Sequence, residues 1–186
     1  MAEITPVLQS FNGDFVEKMT VESVEDFNYV RNCWSESMRL QPPLPGSTPN
    51  SFCRDTVVKG IDFLTTDKYT INFEAIHKNP LEWQRPDDFI PERFDSKDPL
   101  FKRPDGKNRH PFSFCPFFGG KRICLGKTLA EYMTVFTLPL VLFHFEFQFV
   151  NQAYMVKKPN MQLFSMTTPE IPMRVKVTRK IKPQKK

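Results

Sequence analysis

Phe117-Phe118-Gly119-Gly120-Lys121-Arg122-Ile123-Cys124-Leu125-Gly126 is the stretch of the 186-residue chain that decides its reading. One cysteine stands in a loop built from glycines, with an arginine two residues before it and an apolar run after it. Glycine lets a backbone approach a flat, bulky group and adopts angles closed to other residues, which is the use expected for Gly120 and Gly126. Arg122 can grip a carboxylate in a two-pronged way and offset a nearby thiolate. Lys127-Thr128-Leu129-Ala130-Glu131-Tyr132-Met133 reads as a helix start. Cys124 then lies close to a helix N-terminus, whose unpaired N–H groups favour a thiolate anion. A short motif of this kind also fits a buried free cysteine in a glycine turn, so the rest of the chain has to decide. The ligand that best suits the loop is an iron porphyrin.

Two further segments bear on the choice. Val24, Phe27, Val30, Trp34 and Met38 recur at helical spacing, and Pro42-Pro43 stops the pattern, which predicts a helix over 21–40. Glu36 and Arg39 are three apart on it and share a face. Alone, such a pair is a surface ion pair of small worth. Trp83 to Phe94, which includes Pro91-Glu92-Arg93-Phe94, is dense in aromatic residues and proline and reads as an irregular loop with apolar anchors.

Taken in order, the Glu36/Arg39 helix, the Pro91–Phe94 segment and the Phe-x-x-Gly-x-Arg-x-Cys-x-Gly loop resemble the C-terminal part of the cytochrome P450 family. The loop positions that carry the resemblance are Phe117, Gly120, Arg122, Cys124 and Gly126. The implied fold class is α+β: the C-terminal portion of a mainly α fold, with two main helices, small β-strands and a long meander ending in the cysteine loop. The likeness implies haem b (iron protoporphyrin IX) as cofactor, with Cys124 its axial ligand and Arg122 paired to a propionate. Phe117 is expected to pack near the sulfur and shield it, with loop amides donating to it. Glu36, Arg39 and Arg93 are implied as a buried charged triad, since buried charge is tolerable only when paired. The activity implied is insertion of one oxygen atom of O2 into a small lipophilic organic substrate. Electrons come from NADPH through cytochrome P450 reductase, or from a ferredoxin-type donor, with Lys121 and Lys127 on the docking face. The alternative is a non-catalytic relic that at most binds haem.

Departures from the family pattern are local. Phe118 stands where glycine is more usual. Ser51 stands where a basic propionate contact is common, with Arg54 nearby, leaving His110 or Arg122 to supply that contact. The resemblance runs from about Thr20 to Val177, which divides the chain into a lead-in segment 1–19, the family portion 20–177 and a disordered basic tail 178–186. The family's distal helix, with its acid–threonine pair, should precede residue 20, but segment 1–19 is too short for it and lacks that pattern, and the family's N-terminal membrane anchor is absent too, so the chain reads as a fragment. A full-length parent is expected at the cytosolic face of the endoplasmic reticulum membrane, attached only through that absent segment, because this chain carries no apolar run of about 18–20 residues and no signal peptide.

Composition fits one core of ordinary size, with 19 phenylalanines and 40% hydrophobic residues, while 17 prolines predict much loop. Cys33, Cys53, Cys115 and Cys124 form no C-x-x-C pair, which argues against zinc and, without a signal peptide, against a disulfide framework. The +5 net charge concentrates at the C-terminus without a nucleic-acid motif, so no nucleic-acid partner is expected. Thr56–Val58 and Tyr69–Phe73 read as strands with Gly60 as a turn, and in the family these strands lie in the sheet beside the haem. A second helix is expected from Leu125 to Phe143, with an apolar stripe of Leu129, Tyr132/Met133, Phe136 and Leu140. Pro139 is expected to kink it or end it early. Met173, Val175 and Val177 alternate as a strand, and Leu163–Met166 are candidates for a turn into the substrate pocket.

Overall fold

The computed structural model describes residues 4–10, 18–20, 22–150 and 175–180. The expected helix over 21–40 divides in two. A 3-10 turn spans Glu22–Asp26, and helix α2, following α1 (Ile4–Ser10), begins only at Asn28 and ends at Leu40. The cause is local: Ser23 Oγ and N both donate to the Thr20 carbonyl, competing with helical bonding. Phe27 then leaves helical angles, at φ −109° and ψ 48°, and becomes fully buried. The side chain of Val24 lies outside the described residues. Pro42-Pro43 follow the end of α2, where a helix cannot continue.

After α2 the chain turns back through a short hairpin. Strands β1 (Thr56–Val58) and β2 (Ile61–Phe63) pair antiparallel, with Thr56 opposite Phe63. Lys59 at φ 48° and Gly60 at φ 80° form its two-residue turn, both left-handed, as a tight hairpin of this twist requires. The expected strand Tyr69–Phe73 is corrected. Tyr69 and Asn72 make only isolated bridges to Asn50 and Gly46, and Phe73 opens helix α3 (Phe73–His77). Asn72 is the reason, because its side chain accepts from the Ala75 N–H at 3.0 Å and caps the helix. Residues 78–126 form the meander, punctuated by 3-10 turns at Pro91–Phe94, Pro99–Phe101, Pro111–Ser113 and Gly120–Arg122.

Helix α4 runs from Lys127 to His144 and does not end at Pro139. The proline removes the donor that the Val135 carbonyl would receive. The helix nonetheless continues to His144, with Val135, Pro139 and Phe143 all buried. The apolar stripe is also corrected: Tyr132, Phe136 and Leu140 pack on the core, but Leu129 and Met133 are 64% and 60% exposed. The face that meets α1 and α2 is centred on Val135 and Phe143, rotated from the expected stripe. Strands β3 (Phe145–Phe149) and β4 (Val175–Arg179) pair antiparallel, with Phe145 opposite Arg179. Thr178 and Arg179 are therefore strand residues rather than the start of a loose tail. Lys180 adds a backbone bond to the His144 carbonyl at 2.8 Å, and its ammonium reaches the Leu142 carbonyl at 2.9 Å. Met173 and Leu163–Met166 lie outside the described residues.

The core joins both ends of the sequence. Ile4 and Leu8 of α1, Phe27 just before α2, Val30 within it, and Val135 and Phe143 of α4 form one buried cluster. Residues 4–10 are thus a core element, beyond what a lead-in segment implies. Arg31 of α2 clasps Glu131 of α4 at 3.1 Å, and α2 also packs on the Pro91–Phe94 turn. Among the described residues no helix is long and apolar enough to cross a membrane.

Candidate functional site

The cysteine loop is folded on itself by its own backbone. The Phe118 N–H donates to the Cys115 carbonyl at 2.9 Å, and the Cys124 N–H donates to the Phe117 carbonyl at 2.8 Å. Gly120, at φ +64°, occupies left-handed space as expected. Gly126 does not: its φ is −80°, and it serves as the N-cap of α4. A Cβ there would sit 3.8 Å from Cys124 Sγ, an ordinary contact, so the expectation of a closed backbone angle at Gly126 is corrected. The tight glycine is Gly119, where an added Cβ would fall 2.3 Å from Phe112 Cε1. Phe118, at φ +66°, is a bulky side chain held in the left-handed region.

Cys124, Arg122, Phe117 and Phe118 line one cavity of about 360 Å³ together with Met38 and Phe73. This lies within the roughly 300–1,000 Å³ range of small-molecule sites. The wall is mostly apolar, with Ser47, Thr48 and Asn50 at one side. Cys124 is exposed, and the Phe117 ring stacks on Trp34 of α2 at 5.9 Å. Lys121 and Lys127 flank the loop and are exposed. Ser51 and Arg54 are exposed and lie off the cavity wall. His110 is off it too: its Nδ1 accepts from the Phe112 N–H at 3.1 Å and caps the Pro111–Ser113 turn. Of the basic residues weighed for a propionate, the cavity wall includes Arg122.

Beneath the loop, Glu36, Arg39 and Arg93 come together from α2 and the Pro91–Phe94 turn, each exposed by 1% or less. Arg39 forks onto Glu36 with Nε at 2.7 Å and Nη2 at 2.8 Å, while Arg93 Nε donates to Glu36 Oε1 at 3.1 Å. The Ile90 N–H completes the carboxylate at 2.8 Å. Two guanidiniums on one carboxylate leave excess positive charge, and the meander's carbonyls absorb it. Arg39 donates to the carbonyls of His77, Pro86 and Asp88, and Arg93 donates to those of Gln84 and Arg85. A loop without sheet partners thereby satisfies its own backbone acceptors. Burial, followed by repulsion from Arg39, lowers the Arg93 pKa against the pull of Glu36.

Sequence reasoning missed Arg109 and His77. Arg109 donates to the carbonyls of Arg93, Leu100 and Phe101, and its guanidinium lies 4.1 Å from the Trp83 ring centroid. Arg39 covers the same indole at 5.2 Å, so Trp83 lies under two cations. Burial and the nearby Arg93 bring the Arg109 pKa down to about 10. The signal for Arg109 was no more than an arginine in a loop, because its partners are backbone atoms that no spacing reveals. His77 is fully buried, and burial followed by the Arg39 charge brings its pKa down to about 4.

The cavity wall thus carries one exposed thiol, Cys124, and one arginine, Arg122, among mostly apolar residues. The chain belongs to the cytochrome P450 family, whose sequence model matches residues 1–177. It is 34% identical over 128 residues to cytochrome P450 71D15 of Mentha piperita, covering 69% of this chain and 24% of the relative. It is 31% identical over 152 residues to costunolide synthase of Tanacetum parthenium, covering 82% and 29% respectively. Among solved structures it resembles a zebrafish cytochrome P450 with abiraterone, at TM-score 0.69 and 25% identity, over 87% of this chain and 36% of that one. The chain spans 24% and 29% of the two curated relatives named here. The fold is thus the α+β portion that the sequence implied. The residues present fit haem, since the donor set is a single accessible cysteine thiol with an arginine on the same apolar wall.

Proposed function

We propose that this chain is the haem-ligating portion of a haem-thiolate monooxygenase. The observation that carries the reading is the convergence of Cys124, Arg122, Phe117 and Phe118 on one apolar cavity. Cys124 is the sulfur ligand to iron in haem b, and Arg122 pairs with a propionate. Phe117, held by Trp34, fixes the loop carbonyl that takes the Cys124 N–H. Gly120 supplies the left-handed turn that returns the chain toward α4, and Gly126 begins that helix. Glu36, Arg39 and Arg93 lock α2 to the meander and keep the loop's floor rigid. Bound there, an iron porphyrin with a thiolate ligand supplies oxygen activation, because an electron-rich sulfur favours O–O cleavage.

The substrate in this reading is a small lipophilic organic molecule. Support comes from relatives that carry the names germacrene A hydroxylase in Lactuca sativa and tabersonine 3-oxygenase in Catharanthus roseus. Electrons are supplied by NADPH-cytochrome P450 reductase or a ferredoxin-type donor, which meets the face bearing Lys121 and Lys127. The parent protein is placed at the endoplasmic reticulum membrane, facing the cytosol.

Titration of the chain with haemin tests the reading. One equivalent is expected to saturate the Soret absorbance, and Arg122→Ala is expected to weaken binding roughly tenfold through loss of one charge-assisted pair. Equal affinity in Arg122→Ala would remove that residue from the site. No saturable binding by the wild-type chain would oppose the haem-ligating role itself.

A further inference from the structure

His77 stands between the buried charge cluster and the cysteine loop and touches both. Its backbone carbonyl accepts from Arg39 Nη1 at 2.9 Å. Its ring Nε2 accepts from the Cys115 N–H at 3.0 Å. The ring is held in place by Phe73 at 6.3 Å and Phe114 at 5.5 Å, and the residue is fully buried. An imidazole accepts at Nε2 only when that nitrogen carries no proton, so a neutral ring has its proton on Nδ1. Nδ1 is buried and has no hydrogen-bond partner among the described residues. The fold therefore leaves one polar atom unsatisfied while it keeps the other on the loop backbone, an unusual condition for a buried group.

The Nε2 bond secures more than one amide. The Cys115 N–H is fixed by His77, and the Cys115 carbonyl accepts the Phe118 N–H at 2.9 Å. The neighbouring Phe117 carbonyl accepts the Cys124 N–H at 2.8 Å. These bonds connect Arg39 to the backbone of the proposed iron ligand. We propose that His77 is a positioning residue for Cys124, tying the Glu36–Arg39–Arg93 cluster to the cysteine loop through one imidazole acceptor. The inference rests on Cys124 being the iron ligand for its functional meaning, but the ordering of the loop can be measured with or without haem. The Arg39 guanidinium serves the arrangement twice, by holding the His77 carbonyl and by opposing a second proton on the ring. A neutral ring is the state in which Nε2 keeps its lone pair.

The test compares the full chain with His77→Leu and His77→Gln, with and without haemin. Amide hydrogen exchange is read at Cys115, Phe118 and Cys124, against Phe63 of β2 as a distant reference. Leucine fills space but cannot accept, and glutamine offers a carbonyl oxygen near the lost nitrogen. Exchange at all three loop amides is expected to accelerate roughly tenfold or more in His77→Leu relative to Phe63. His77→Gln is expected to stay within about threefold of the wild type. Acceleration confined to Cys115, or no rescue by glutamine, would overturn the proposal. Should the leucine variant not fold, nitrogen-15 spectra of the wild-type histidine decide. A proton on Nδ1 at neutral pH is expected, and a proton on Nε2 would overturn it. The Soret spectrum of the wild type separates the two claims, since a chain without thiolate ligation but with the three amides coupled to His77 refutes the haem reading alone.

Discussion

Phe118 holds φ at +66°, a left-handed backbone that costs a residue bearing a Cβ about 1–2 kcal/mol. Its ring recovers part of that by meeting Phe73 edge-on at 6.1 Å and lining the cavity. Removing the ring while keeping or relieving the strain separates the two effects. Phe118→Gly is expected to be more stable than Phe118→Ala by about 1 kcal/mol, as urea midpoints with unchanged slopes would show. Equal stability would mean that the backbone at 118 is not strained in solution. The motif residues were legible at this scale because each has a chemical reason to be where it is. The glycine roles were legible only in part. Gly120 has its left-handed angle, whereas Gly126 does not, and the steric requirement falls on Gly119 under Phe112, a contact set by tertiary approach. The stacking of Phe117 on Trp34 of α2 is likewise a contact set by tertiary approach.

Between elements, a carboxylate with two guanidiniums joins α2 to the meander in a dry place. Breaking such a cluster by removing one partner costs about 3–5 kcal/mol, since it strands the remaining charge. Glu36→Ala is expected to lose stability on that scale, with Arg39 and Arg93 left facing each other, whereas Glu25→Ala on the exposed Arg31 pair is expected to cost under about 1 kcal/mol. Similar losses in the two variants, measured by denaturant unfolding, would contradict the buried geometry. His77 adds a pH dependence of definite sign. Its pKa is about 4 when folded and 6.5 when free, so the unfolded chain binds the extra proton between those values. Stability from this group is complete above about pH 6.5 and declines as pH falls toward 4, by at most about 1.4 kcal/mol per unit. The slope is expected to vanish in His77→Gln. The Glu36/Arg39 face was legible because three-residue spacing fixes a shared helix side. The rest was not: Asn72 capped a helix where alternation suggested a strand, and α4 continued past Pro139 because tertiary burial outweighed a missing donor.

Across the whole molecule, the proposed docking of a redox partner falls to the charge beside Cys124. Lys121 and Lys127 are exposed, three positions to either side of Cys124. Reversing both to glutamate is expected to slow electron transfer from a reductase roughly tenfold at low salt, with the difference fading as salt rises. An unchanged, salt-insensitive rate would remove them from the docking face. At this scale the presence of α2 and α4 could be read from periodicity and motif, although α2 begins only at Asn28 and the buried face of α4 is rotated from the expected stripe. The contribution of Ile4 and Leu8 to the core could not, because a seven-residue helix gives little period and its partners on α4 lie more than a hundred positions away. Thiolate ligation of haem iron by Cys124 has its own signature in the carbon monoxide difference spectrum of the reduced, haemin-loaded chain. A Soret band at about 450 nm, lost in Cys124→Ser, is the result predicted for thiolate ligation. Haem binding without that band, or a band that survives the substitution, would contradict it.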